Sequence, residues 1–212
     1  MSEENLPELY ITLSGEGNAD FEVKRSVFIG HAKHVTSEEQ ANEFIKVKKK
    51  EYADATHNCW GYVLRGGVVA RYSDDGEPQG TAGVPILETI RKSGVSDAVV
   101  VVTRYFGGTL LGAGGLVRAY SQGAKIALEA AGIVTYEKYS EFLLECSYSD
   151  YQKYIALLPK YGAVIDNADF ADRVTLRFAV KKSGSLPLIE KIAEMSGGKD
   201  SLRDIGERYD YR

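Results

Sequence analysis

Residues 98–102 read AVVVV, an apolar run without a polar break. Consecutive valines suit the pleat of a strand, and the lack of alternation means that neither face of that strand is wet. The run therefore predicts a central strand covered on both sides. Arg104, Tyr105 and Phe106 follow near its end, and then come Gly107, Gly108, Gly112, Gly114 and Gly115. Beyond them Leu116, Ala119, Tyr120, Gly123, Ala124, Ala127 and Ala131 recur at helical spacing, with Arg118, Gln122, Lys125 and Glu129 on the opposite side. A buried stripe of such small residues predicts a helix lying close on its sheet, with Gly132 as its stop. Strand, glycine segment and helix thus form one unit, around which the rest of the chain must be arranged.

Upstream, residues 1–20 are polar and read as loosely packed. The segment FEVKRSVFIGHAKHV is extended to about Val35, with a turn at Lys24 and Arg25. Thr36 with Glu39 forms a capping-box pattern, and the helix it opens places Ala41, Phe44, Ile45 and Val47 on one side. Lys48–Lys50 end that helix, either as a solvated basic terminus or as a binding patch. HNCWGYVL and VVARYSDD read as a hairpin joined by Arg65, Gly66 and Gly67. Trp60, Tyr62 and Leu64 share one face of its first strand, and His57, Cys59, Gly61 and Val63 share the other. After the turn-rich DDGEPQGTAGVP, a helix carries Ile86, Leu87 and Ile90, with Pro85 in its first turn and Gly94 past its end.

Composition shifts near residues 135–140. From Tyr139 the order is strand, helix (Asp150 to Tyr161, weakened by Pro159), two strands, helix (with Pro187 near its start) and strand. This β-α-β-β-α-β order fits a ferredoxin-like split unit. Two domains are expected, 1–135 and 141–212, in an α+β protein.

Net charge is −4 over 212 residues, which argues against coating nucleic acid through bulk charge but leaves room for a local basic patch. Two cysteines far apart, Cys59 and Cys146, suggest a reducing compartment. The N-terminus has neither a basic start nor an apolar core, so no signal peptide and a cytoplasmic location are expected. No apolar stretch reaches membrane-spanning length, so no membrane partner is expected.

Four constellations can carry chemistry. The glycine segment before a helix start is an anion-binding layout, because free N–H groups and the positive helix end coincide there. Its spacing matches neither GxxxxGK[ST], since Leu116 follows Gly115, nor GxGxxG. The alternative is that the glycines serve tight packing and positive φ. Arg104 beside Tyr105 and Phe106 can hold phosphate or stack on a base, or can form a structural ion pair with Asp74 or Asp75. Asp74, Asp75 and Glu77 can ligate Mg²⁺ or act as an acid/base pair, or simply build a turn. His57 and Cys59 are either a nucleophile pair or metal ligands, or a half-buried structural pair; with three histidines and no CxxC, zinc is not expected.

YSDDGEPQGTAGVPIL and VVVVTRYFGGTLLGAGGLVRAY, in that order and spacing, together with EVKRSVFIG and HNCWGYV, resemble the IMPACT family over about residues 20–132. The tail resembles the smaller C-terminal domain of the bacterial members. The resemblance implies a first domain similar to the second domain of a small-subunit ribosomal protein, a fold shared with small-molecule kinases. It implies a ferredoxin-like second domain similar to the last domain of the ribosomal translocase. The resemblance implies that eukaryotic relatives act in translational control by binding the activator of an initiation-factor kinase; they carry a different extra domain, so that partner is not expected for this chain. For bacterial relatives the resemblance implies no settled reaction, and no cofactor or metal is expected.

Three functions follow as expectations. The first is a non-catalytic protein that contacts RNA or the ribosome through Arg71, Arg104, Tyr105, Arg118 and the glycines Gly107, Gly108, Gly112, Gly114 and Gly115. The second is a protein-interaction adaptor in translational control. The third is an enzyme acting on a phosphorylated small molecule or nucleotide, with Asp74 or Glu77 holding Mg²⁺ and Arg104 neutralising charge.

Overall fold

The computed structural model describes residues 9–64 and 69–211. It is a mixed α+β chain whose internal contacts divide it after Thr135 into two units. The connection Arg65–Gly67 expected in the hairpin lies outside the described residues.

In the first unit the sheet is built from β2 (Glu16–Val23), β3 (Ser26–His34), β4 (His57–Val63), β5 (Ala70–Ser73) and β6 (Ala98–Tyr105), after a short β1 (Leu9–Leu13). The order is β2-β3-β6-β4-β5, each neighbouring pair antiparallel. The valine run therefore occupies the middle strand, and every residue from Ala98 to Arg104 is buried. The expectation of a loosely packed N-terminal stretch is corrected from Leu9 onward. Thr12 and Leu13 are buried, Ser96 N donates to Ile11 O at 2.9 Å, and residues 16–23 form an edge strand with alternate residues half-buried.

Three helices cover this sheet: α1 (Glu38–Glu51), α2 (Gly83–Lys92) and α3 (Ala113–Ala131). Val100 and Val102 pack with Ile86, Ile90, Tyr120 and Ala124 of α2 and α3, while Val99 and Val101 pack with Phe44 and Ile45 of α1. The small-residue stripe works as expected: a Cβ on Gly30 would lie 2.2 Å from Gly123 O, so only glycine lets α3 approach β3 so closely. The start of α1 is one residue later than Thr36 suggests. Ser37 is the N-cap and accepts from Gln40 N, while Gln40 Oε1 accepts from Thr36 N at 2.9 Å. Val47 points outward, 47% exposed, in place of the core position expected.

The second unit follows the expected element order: β7 (Ile133–Cys146), α4 (Tyr148–Leu157), β8 (Val164–Phe170), β9 (Val174–Lys181), α5 (Ser185–Ser196) and β10 (Ser201–Asp210). Pro159 falls in the 3₁₀ turn Leu158–Tyr161 that closes α4. The antiparallel order β10-β7-β9-β8 places the first and third strands of the unit centrally. Phe142, Leu144 and Cys146 face Tyr154, Leu158, Leu188 and Ile192, so both helices share one face. The other face carries ion pairs such as Arg208 with Asp166 (2.6 Å) and Arg177 with Glu141 (3.2 Å). Among the described residues no helix is long and apolar enough to cross a membrane.

Candidate functional site

The end of β6 and the loop between β5 and α2 meet in a buried polar cluster. Arg104 is 5% exposed; its Nη1 donates to Glu77 Oε1 at 2.6 Å and its Nη2 reaches Ser26 Oγ at 3.5 Å. The guanidinium carbon lies 5.5 Å from the Phe28 ring centre and 5.4 Å from that of Phe106. Glu77 Oε1 also accepts from Tyr120 Oη at 2.8 Å, and His57 Nε2 lies 3.9 Å away. Two donors thus converge on one oxygen, the arrangement that makes a buried carboxylate–guanidinium pair tolerable. Burial is the largest cause raising the Tyr120 phenol, followed by Cys59 and Glu77, so its proton stays in place to donate.

This corrects the expected partner of Arg104, which is Glu77 and neither Asp74 nor Asp75. Asp74 instead holds the loop against α2. Its Oδ1 accepts from Ala82 N (3.1 Å) and Gly83 N (2.8 Å), and its Oδ2 from Gly80 N (2.8 Å). The carboxylate thereby takes the place of a helix cap, where the dipole favours it. Asp75, at φ 44°, binds Asn58 N at 2.7 Å and Lys49 Nζ at 2.5 Å. All three carboxylates are engaged with protein donors, which supports turn construction among the alternatives open in the sequence. Among the described residues no group of three His, Cys, Asp or Glu side chains is arranged to hold a metal.

His57 and Cys59 share a face, as the alternation requires, and both fasten the same loop. His57 Nδ1 meets Asp75 O at 2.9 Å, and the Cys59 thiol donates to Asp74 O at 2.9 Å. Burial, opposed by the Tyr120 hydrogen bond and reinforced by nearby carboxylates, pushes the Cys59 thiol up to about 12. A thiol so protonated is no nucleophile. The lysine run is neutralised in part: Lys48 pairs with Glu16 (3.4 Å) and Glu51 (3.1 Å), and Lys49 pairs with Asp75.

The glycine segment divides in two. Its first part is engaged internally. Phe106 N donates to Thr56 Oγ1 at 3.0 Å, and Gly107 N donates to Ser26 Oγ at 3.1 Å. A Cβ on Gly107 would lie 1.9 Å from Arg25 O, so the chain there is pressed onto the β2–β3 turn. Its second part is open. Gly108 (φ 81°) and Gly112 (φ 73°) take backbone angles that favour glycine, with nothing near an added Cβ. Among the described residues no hydrogen-bond partner meets the backbone N–H groups from Gly108 to Gly114. Gly112, the N-cap of α3, offers no side-chain acceptor, and the first turn has no acidic residue. Gly115 N and Leu116 N turn inward to Gly112 O, both at 3.0 Å. The result is an exposed backbone concentrated at the positive end of a 19-residue helix.

Arg118 is exposed and lies back over this first turn, its Nη1 3.8 Å from where a Gly114 Cβ would be. Arg71 does not join it. It pairs in register with Tyr62, whose side chain lies on the α1 face, whereas Arg104 shares the opposite face with Val100 and Val102. Tyr105 also points to the α1 face, where its hydroxyl donates to Asp54 Oδ1 at 2.8 Å. Of the residues expected to form one binding face, the structure thus assembles Gly108, Gly112, Gly114 and Arg118. Gly107, Gly115 and Arg104 lie beneath, and Arg71 and Tyr105 lie elsewhere. Sequence reasoning missed Ser26 and Tyr120 as members of the buried cluster. A hydroxyl within an otherwise small and apolar helix stripe was the one available signal for Tyr120.

An exposed glycine loop at a helix start, buttressed by a buried arginine–glutamate pair, is the central feature of the first unit. A four-stranded split β-α-β unit follows it. Residues 24–128 match the family model of the Impact N-terminal domain, and residues 144–199 match a domain of unknown function, DUF1949. The chain belongs to the IMPACT family. It is 34% identical over 196 residues to the IMPACT family member YvyE of Bacillus subtilis (strain 168), covering 92% of this chain and 90% of that one. It is 36% identical over 189 residues to the IMPACT family member YigZ of Escherichia coli (strain K12), covering 88% and 93%. A solved structure described as that of a hypothetical protein superposes with a TM-score of 0.60 at 34% identity, covering 94% of this chain and 98% of that one.

Proposed function

We propose that this protein is a non-catalytic, cytoplasmic RNA-binding protein linked to translation or its regulation, and that the glycine loop face of its first unit makes the contact. The observation that carries the reading is the run of N–H groups from Gly108 to Gly114 without partners, at the start of α3 and under Arg118. Such a surface suits phosphate oxygens, which accept hydrogen bonds from bare amides and favour the positive helix end. Family membership supports the link to translation, as does the likeness proposed between the two units and domains of a ribosomal protein and of the ribosomal translocase. Engagement of Asp74, Asp75 and Glu77 in internal bonds favours binding over metal-assisted catalysis. With a net charge of −4, affinity rests on a few phosphate contacts and its salt dependence is correspondingly modest. Gel shift with a structured RNA at low salt tests this reading; absence of binding at tens of micromolar contradicts it.

A second reading, an adaptor that docks another protein, has one observation in its favour. Leu110 is 81% exposed, and Phe106 (44%) and Val117 (38%) lie nearby in sequence on the same segment. Retention of a single protein, with no ribosomal RNA, in pull-downs would favour it over the first.

A further inference from the structure

The β2–β3 turn is built from two residues, Lys24 and Arg25, between the paired Val23 and Ser26. Both have positive φ, 48° and 65°. A two-residue turn of this kind favours Asn-Gly, because those residues accept positive φ with little strain. Two long cationic side chains are a poor choice for the fold alone. Both residues are exposed, and among the described residues neither forms an ion pair. Many cations of the same unit do: Lys33, Lys48, Lys49 and Arg104 each have a carboxylate.

The turn is also tied to the glycine segment. Gly107 packs on the Arg25 carbonyl so closely that no side chain fits, and Ser26 Oγ accepts from Gly107 N while lying 3.5 Å from Arg104 Nη2. The buried Arg104–Glu77 pair thus anchors the turn and the loop as one piece. The backbone of Arg25 is thus held against the loop at its start, with the exposed Lys24 and Arg25 on the turn beside it, and Arg118 stands over the helix start at its other end.

We infer that Lys24 and Arg25 are binding residues for the phosphodiester backbone of RNA, extending the loop face to a track of cations and bare amides. This inference rests on the proposed RNA-binding reading. Recognition of this kind is independent of base sequence and graded by salt, because each cation placed on a phosphate releases a counterion.

The test uses the full chain and a labelled RNA hairpin of about 20 nucleotides, titrated by fluorescence anisotropy at several salt concentrations from ~50 to 200 mM. The variant Lys24→Asn/Arg25→Gly removes both charges and installs the favoured turn pair, so its Trp60 fluorescence unfolding midpoint in urea is expected to stay or rise. Its RNA affinity at the lowest salt is expected to fall by about tenfold or more, and the slope of log K against log salt to become shallower by about 1.5. Lys24→Gln/Arg25→Gln, which keeps long side chains, is expected to match it in binding. Binding by the wild type with unchanged affinity and slope in both variants would overturn this inference and leave the broader reading standing. Weaker binding with an unchanged slope would overturn it too, since neither side chain would then be neutralising a phosphate. Failure of the wild type to bind the hairpin at tens of micromolar overturns both.

Discussion

Removal of Glu77 should reveal how much of the first unit depends on the Arg104 pair. The two side chains are 6% and 3% exposed and 2.6 Å apart, so neither salt nor water screens them effectively. In Glu77→Ala the guanidinium keeps the Phe28 and Phe106 rings and, as a hydrogen bond, only the 3.5 Å approach to Ser26 Oγ, while Arg104 Nε already has no partner among the described residues. Stranding a buried cation in this way costs about 3–5 kcal/mol. The Tyr120 hydroxyl loses its 2.8 Å acceptor as well, so the upper part of that range is expected. With a urea dependence of about 2 kcal/mol per molar, the unfolding midpoint falls by about 2 M. The chain has a single tryptophan, Trp60 on β4, so its fluorescence reports unfolding of the first unit alone. Arg104→Met in the Glu77→Ala background removes the stranded charge and places a thioether beside Phe28 and Phe106; it should recover much of the loss. A midpoint shift under about 0.5 M in Glu77→Ala, or strict additivity of the two changes, would refute the anchoring role.

Further expectations follow from single sites. Gly107→Ala, whose Cβ would sit 1.9 Å from Arg25 O, should lower stability by about 3 kcal/mol or more, while Gly108→Ala, at φ 81° in open space, should cost only about 1–2 kcal/mol; urea titration of Trp60 compares them. His31 is 1% exposed, and neither ring nitrogen has a hydrogen-bond partner among the described residues. Burial first, then the Lys48 charge, lowers its imidazole from 6.5 to about 4. Above pH 6.5 the folded and unfolded forms are both neutral at this site; below it the unfolded chain binds a proton that the fold refuses. Stability should therefore fall by about 3 kcal/mol as pH drops to about 4, and His31→Phe should flatten that limb of the pH–stability curve. Burial also pushes the Cys146 thiol up to about 11, so neither cysteine should react with a thiol reagent at pH 8 until denaturant is added. Arg118→Ala should make the salt dependence of RNA binding shallower by about 0.7–0.9, and Arg71→Ala, on the other face of the sheet, should leave it unchanged.

The parts of this fold legible in the sequence are those with a strong period or a strong composition. Valines 99–102 announced the central strand, and the Ala/Gly stripe announced a helix pressed on the sheet, because close packing leaves little choice of side chain. The first part of the edge strand, residues 16–20, gave no such signal. Only alternate residues of it are half-buried, and EGNAD satisfies that with small and polar groups. Long-range polar pairing was equally illegible. Asp74, Asp75 and Glu77 are chemically similar and close in sequence, and which of them meets Arg104 is decided by the positive φ of Asp75 and Gly76, which turns Glu77 inward. The glycine segment could be read as either packing or open backbone because it contains both. Gly107 packs against the turn, whereas Gly108–Gly114 lie open.

The central claim concerns those open amides, and amide chemical shifts observe them directly. In a ¹⁵N-labelled full chain titrated with the RNA hairpin at low salt, the resonances of Gly108, Thr109, Gly112, Ala113 and Gly114 should move progressively with the added RNA. Gly115 and Leu116, whose N–H groups already point to Gly112 O, should move least among their neighbours. Saturable shifts confined to other surfaces, with the Gly108–Gly114 amides unmoved, would contradict the claim.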